Sequence, residues 1–126
     1  MKRRVLLAED NLFLTEIMRI VLEALNYDVI VAKNGRQAVE MATSEAPDLI
    51  IMDLMMPELD GFQAATQVRM NPKTQTIPVL AISAFTVPGT RERCLACGFD
   101  GYIAKPFTVQ ELKGAIEKIL KERSTY

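Results

Sequence analysis

Five short apolar runs alternate along the chain with longer stretches in which apolar residues recur at helical spacing. Arg4–Ala8, Asp28–Ala32, Leu49–Asp53, Val79–Ser83 and Gly101–Ala104 are mostly apolar at consecutive positions. Runs of that length and continuity suit strands covered on both faces, as in a parallel sheet. Between the first two, Leu14, Ile17, Met18, Val21, Leu22 and Leu25 trace the stripe of an amphipathic helix. A second helix is expected after Asn34-Gly35, stopping before Pro47, because proline disfavours helical backbone in the residue ahead of it. Asp60 is an N-cap for a third, which ends before Asn71-Pro72. The fourth is expected from about Pro88 to Cys97, with Gly98 supplying a left-handed C-terminal residue. Thr108-x-x-Glu111 reads as a capping box opening the last helix, with Val109, Leu112, Ile116, Ile119 and Leu120 inside it, and Ser124-Thr125-Tyr126 is expected to fray.

Strands joined through helices must run parallel, and right-handed crossovers put the helices on both faces of the sheet. The predicted fold is therefore α/β: a doubly wound, five-stranded parallel sheet. With 126 residues and neither an internal repeat nor a long linker, the whole chain, 1–126, is expected to form a single domain.

Composition narrows the chemistry. Fifteen Lys+Arg against sixteen Asp+Glu leave a formal charge of -1, no basic footprint for a nucleic acid backbone. The complete lack of histidine excludes Ser-His-Asp triads, the H-E-x-x-H zinc motif and any histidine base within this chain. Glu9-Asp10-Asn11 cuts the first apolar run too early for an export signal. No apolar stretch approaches the ~20 residues that span a bilayer, so membrane insertion is not expected. Two cysteines without a secretory signal point to the reducing cytoplasm.

In open α/β sheets ligands bind outside the carboxyl ends of the strands. The residues predicted there are all reactive: Glu9-Asp10 after the first strand, Asp53 ending the third, Ser83 ending the fourth, and Lys105-Pro106 after the fifth. Carboxylates gathered in one place repel, so some protonate or a cation neutralises them. An all-oxygen set without histidine or thiolate favours Mg²⁺, which shares its coordination with water and phosphate oxygens. Lys105 adds a cation for an incoming anion and Ser83 a hydroxyl donor. The set suits phosphoryl transfer to a carboxylate, with Asp53 as the nucleophile.

In order and spacing, Val5-Leu6-Leu7-Ala8-Glu9-Asp10-Asn11, Ala32-Lys33-Asn34-Gly35, Pro47-Asp48-Leu49-Ile50-Ile51-Met52-Asp53, Met56-Pro57-Glu58-Leu59-Asp60-Gly61, Ile77-Pro78-Val79 and Gly101-Tyr102-Ile103-Ala104-Lys105-Pro106 are similar to the receiver domain of two-component response regulators. The likeness extends over essentially the whole chain and includes the single-domain chemotaxis and cell-cycle regulators. It implies a flavodoxin-like sheet of strand order 2-1-3-4-5. It further implies that Asp53 is the phosphoacceptor and that Asp10, Asp53 and the Met55 backbone carbonyl bind Mg²⁺, with Glu9 acting through a water. Lys105 would pair with the acyl phosphate, and Ser83 would swing toward it. Tyr102 would follow Ser83 inward and alter the face of helix 4, strand 5 and helix 5. The Lys105–Pro106 peptide would be cis.

Such a domain is not an enzyme in the ordinary sense but a switch that catalyses its own phosphorylation and dephosphorylation. Met55 and Phe85 are apolar where they flank the path of attacking water, and slow dephosphorylation is the expectation. Because the chain has no histidine, a phosphohistidine donor must be another polypeptide, a histidine kinase or histidine phosphotransfer protein. With no output domain after the last helix, the signal is expected to leave through a downstream protein target.

Competing readings fit less well. An aspartyl-phosphate phosphatase needs a second acid where Met55 stands. A flavin carrier needs a hydroxyl- or glycine-rich phosphate cradle in place of Glu9-Asp10-Asn11-Leu12. A pseudo-receiver, a binding module that is not phosphorylated, is the remaining alternative, and the full acidic set with Lys105 argues against it. Cys94-x-x-Cys97 falls at a predicted helix end and, with no histidine to complete a zinc site, reads as packing. The methionines of Met52–Met56 likewise read as core and loop packing. Lys113, Lys118, Lys121 and Arg123 read as a solvated face near the negative end of the last helix dipole.

Overall fold

A computed structural model describes residues 2–56, 58–84 and 87–123, without the Arg123 side chain. Phe85 and the Ser124–Tyr126 tail lie outside the described residues. The elements alternate as β1 (Arg4–Ala8), α1 (Leu12–Ala24), β2 (Asp28–Ala32), α2 (Gly35–Glu45), β3 (Leu49–Asp53), α3 (Gly61–Met70), β4 (Val79–Ser83), α4 (Thr90–Ala96), β5 (Gly101–Ala104) and α5 (Val109–Arg123). All strand pairs are parallel and the order is β2-β1-β3-β4-β5.

Two apolar layers hold the sheet. On one face Leu6, Ala8, Ile50, Met52, Val79 and Ala81 meet α2, α3 and α4. On the other Val5, Leu7, Leu49, Ile51, Leu80 and Ile82 meet α1 and α5. β3 and β4 are buried along their whole length, as continuous apolar runs require. A strand covered on both faces has no position for a polar side chain until it leaves the sheet. Polar chemistry is thereby confined to the strand ends.

The helix boundaries follow local chemistry. Asn11, Asn34 and Asp60 cap α1, α2 and α3 through side-chain oxygens that accept from Leu14, Gln37 and Gln63 N–H. Thr108 and Glu111 exchange side-chain-to-backbone hydrogen bonds of 3.0 and 2.9 Å, the capping box of α5. The fourth helix differs from expectation: it begins at Thr90, not near Pro88, and ends at Ala96. Gly89 adopts φ 90, a left-handed conformation that cannot continue a helix, so Pro88 stays in the preceding turn. That turn is closed by the Thr90 hydroxyl donating to the Val87 carbonyl at 2.6 Å.

The exposed surface also departs from the stripe read in sequence. Ile17 is 41% exposed and Thr15 takes its place on the buried face of α1. Val109 of α5 is half exposed. Cys94 is buried against the α3 side of the core, and burial, reinforced by neighbouring Cys97, pushes its thiol up to about 11. A thiol held protonated in this way is an inert packing group at neutral pH.

Away from the strand ends that carry the reactive residues, Arg69 ties three segments together. Its guanidinium donates to the carbonyls of Gly98, Gln75 and Ile77 and to Asp100 at 2.7 Å, while Asp100 also accepts from Val79 N–H. Gly98, at φ 100, passes so close to this side chain that a Cβ there would stand 2.6 Å from Arg69 Cγ. The knot fixes the starts of β4 and β5, and with them the register on which their far ends depend. No helix among the described residues is long and apolar enough to cross a membrane.

Candidate functional site

Register brings the reactive residues level. Ala8 pairs with Met52, Asp53 with Ile82, and Ser83 with Ala104, so the residues that leave the sheet after β1, β3, β4 and β5 emerge side by side. One oxygen from each of Glu9, Asp10 and Asp53 lies within 4.8 Å of the others. Glu9 and Asp53 are 2% and 5% exposed, whereas Asp10 opens to solvent.

Each group is held by its surroundings. Glu9 Oε2 accepts from Asn11 N–H at 3.1 Å, and the Thr15 hydroxyl donates to the Asn11 carbonyl at 2.9 Å, bracing the turn that carries Glu9 and Asp10. Asp53 Oδ1 accepts from Met55 N–H at 2.9 Å. Lys105 Nζ donates to Glu9 Oε1 at 3.0 Å and to Asp53 Oδ2 at 2.9 Å. Its own backbone N–H donates to the Ser83 carbonyl, which locks β5 to β4 at this edge. The Lys105–Pro106 peptide is cis.

The electrostatics are unbalanced: three carboxylates face one ammonium. Burial raises the Glu9 pKa, and the Asp53 charge adds to it against the hydrogen bonds from Asn11 and Lys105. For Lys105, burial alone would lower the pKa, but hydrogen bonds to Asp53 and Glu9 and their charges prevail and raise it. Lys105 therefore stays an ammonium through the physiological range, and the surplus negative charge remains. A hard divalent cation bound by oxygen neutralises such a surplus, and the all-carboxylate donor set fits Mg²⁺.

Ser83 is fully buried at the end of β4. Tyr102 lies in β5, paired in register with Ala81 of β4. It is half-buried against the layer that includes α4, with the Arg91 guanidinium 5.7 Å from its ring centroid. Met55 is 60% exposed beside Asp53, while Met52 and Met56 pack into the core.

Two contributors are not apparent from sequence alone. Thr15 looks like a polar interruption of a helical stripe until its hydroxyl is seen bracing the acidic turn. Gly61 lies where a Cβ would stand 2.6 Å from the Asp53 carbonyl oxygen, and its N–H donates to the Leu54 carbonyl at 3.1 Å. In the sequence it is marked by its place directly after the N-cap Asp60 and within the segment from Met56 to Gly61, neither of which reveals the close approach to Asp53.

An acidic, lysine-bridged pocket at the carboxyl edge of a doubly wound sheet defines a receiver-type signalling domain. The chain belongs to the response regulator receiver domain family, whose model matches residues 5–117. It is 33% identical over 120 residues to the polar-differentiation response regulator DivK of Brucella anthropi, covering 95% of this chain and 98% of that protein. Among solved structures it resembles the receiver domain of the sensor histidine kinase PA1611 from Pseudomonas aeruginosa, which carries a magnesium ion coordinated in its active-site cleft. The TM-score is 0.89 and the identity 33%, over 96% of this chain and 99% of that one. The Vibrio cholerae chemotaxis protein CheY4 superposes with a TM-score of 0.88 at 28% identity, over 94% and 99%. The protein is therefore a receiver domain of two-component signalling, a class built for phosphorylation-dependent switching.

Because α3 packs directly on the backbone of Asp53, Gly61→Ala is expected to destabilise the protein by about 1–3 kcal/mol, the usual cost of overpacking. Urea unfolding of the two proteins measures the difference.

Proposed function

We propose that the chain acts as one unit, a phosphorylation switch in which Asp53 takes a phosphoryl group from a phosphohistidine on another protein. The observation that carries this reading is Lys105 Nζ bridging Asp53 and Glu9 inside a triad of carboxylates. An Asp53 oxygen forms the new bond to phosphorus as the phosphorus–nitrogen bond of the donor breaks, and the bonding pair leaves on the imidazole, which takes up a proton. Mg²⁺, held by Asp10, Asp53 and the Met55 carbonyl, supplies charge neutralisation for the phosphoryl oxygens when bound. Glu9, whose oxygens are held by Lys105 and Asn11, would act through a water. The presence of magnesium in the PA1611 receiver supports the assignment.

Lys105, whose backbone N–H donates to the Ser83 carbonyl, keeps its ammonium beside the acceptor and pairs with the acyl phosphate. Ser83 donates its hydroxyl to a phosphoryl oxygen and Tyr102 follows it, changing the face made by α4, β5 and α5 for a downstream partner. These 126 residues contain no histidine, so a phosphohistidine donor would lie outside them, on a histidine kinase or phosphotransfer protein. The pseudo-receiver alternative keeps the fold without the chemistry. Nothing in the site favours it, since every group of the set is brought to the same edge.

Intact mass after exposure to a small acyl-phosphate donor tests the reading. Wild type is expected to gain one phosphoryl group with Mg²⁺ and none without it, and Asp53→Asn to gain none. A wild type that gains nothing under either condition would establish the pseudo-receiver instead. Met55, exposed and apolar, offers no hydrogen bond to an attacking water, so Met55→Asn is expected to shorten the phosphoryl lifetime by about tenfold, within the usual reach of one positioned group. Loss of label after removal of the donor measures it.

A further inference from the structure

Two cavities border the carboxylate cluster. One, on the Lys105 side, runs between α1 and α5 and is lined almost entirely by apolar side chains. The other, of about 530 Å³, opens beside Asp10 and Met55 and reaches across Phe62 of α3 to Arg93 of α4. Arg93 is arranged unusually. Its Cζ lies over the Phe62 ring, 3.8 Å from the centroid, and no carboxylate among the described residues pairs with it within 4.0 Å. Stacking occupies the flat face of a guanidinium and leaves its in-plane N–H donors for hydrogen bonding. The structure thus holds an exposed arginine, stacked on Phe62 and without a carboxylate partner among the described residues, in the wall of a cavity that reaches Asp10 of the carboxylate cluster.

The chemistry of the transfer gives that cation a use. When an acyl phosphate donates to Asp53, the bond from an Asp53 oxygen to phosphorus forms while the bond from phosphorus to the acyl oxygen breaks. The bonding pair leaves on a carboxylate, so negative charge grows on the leaving group. Lys105 is bonded to Glu9 and Asp53 and lies outside this cavity, whose wall carries two carboxylates, Asp10 and Asp60, that repel an anion. Of the groups lining the Asp10 side, Arg93 alone is cationic. Met55 and Phe62 supply apolar contact for the carbon part of such a donor.

We propose that Arg93 is a specificity-determining residue of this site, receiving the anionic leaving group of small acyl-phosphate donors in the cavity between Asp10, Met55 and Phe62. The inference rests on the phosphoacceptor reading of Asp53 and adds to it the class of small donor that the site accepts.

Donors with different leaving groups test it. Phosphoramidate carries its proton on nitrogen and releases neutral ammonia, so it offers no developing anion for Arg93 to meet. The second-order rate constants for phosphorylation by acetyl phosphate and by phosphoramidate are measured in wild type, Arg93→Gln and Arg93→Lys, by intact mass with Mg²⁺ present. In Arg93→Gln the ratio of the acetyl phosphate constant to the phosphoramidate constant is expected to fall about tenfold, the effect of losing one charge-assisted hydrogen bond. Arg93→Lys, which keeps the charge, is expected to recover part of that ratio. An unchanged ratio in Arg93→Gln overturns the proposal, whether both constants fall together, as a purely structural role of the Phe62 stack requires, or neither falls. Phosphorylation of wild type by phosphoramidate separates the two levels of the account. If it occurs with an unchanged ratio in the variant, only the role of Arg93 fails. If wild type accepts from neither donor, the phosphoacceptor reading fails and the proposal with it.

Discussion

Lys105 holds together a site that would otherwise push itself apart. Its ammonium reaches Glu9 from β1 and Asp53 from β3 at once, and its backbone N–H is bonded to the end of β4. The contact spans three strands at their carboxyl ends, and charge is confined to strand ends because the strand interiors are enclosed by apolar layers on both faces. One ammonium does not balance three carboxylates, and burial, with the Asp53 charge adding to it, raises the pKa of Glu9. That residual charge makes the site receptive to a cation, and a cation there makes it receptive to phosphate. Fold stability and chemical function therefore meet in the same few atoms.

The remainder of the molecule serves to keep those atoms level. The Arg69–Asp100 knot fixes the beginnings of β4 and β5. Gly61 lets α3 lie directly on the backbone of Asp53, and Thr15 braces the turn after β1. Each acts at the end of a strand, where a shift of one residue would carry a reactive side chain to the opposite face of the sheet. Buried Cys94 belongs to this supporting structure as well, its thiol kept protonated by the core around it.

Much of this was legible in the sequence, for identifiable reasons. The five strands are continuous apolar runs bounded by charged or turn residues, and their limits match the structure. Asn34, Asp60 and Thr108 announced helix starts because capping is a local interaction, decided within a few residues. The start of α4 was not legible, since the left-handed conformation of Gly89 is set by the turn around it and not by helical periodicity. Ile17 fits the apolar stripe by spacing, yet lies at its margin, because the position of α1 on the sheet decides which side of the stripe is covered. The reactive residues could be read from their positions at strand ends. Arg93 could not, for in a short, charged helix nothing marks one arginine as the one that stacks on Phe62 and faces a cavity. Contacts between elements distant in sequence leave no periodic trace.

The central claim is that the carboxylate triad is a metal site poised for phosphate. Calorimetric titration of the metal-free protein with Mg²⁺ at neutral pH tests it most directly, with Asp10→Asn as the comparison. The account predicts one bound ion per chain in wild type and binding weakened by at least about tenfold in Asp10→Asn, a change of about 1.4 kcal/mol. Absence of binding in wild type, or equal binding in both proteins, would contradict it.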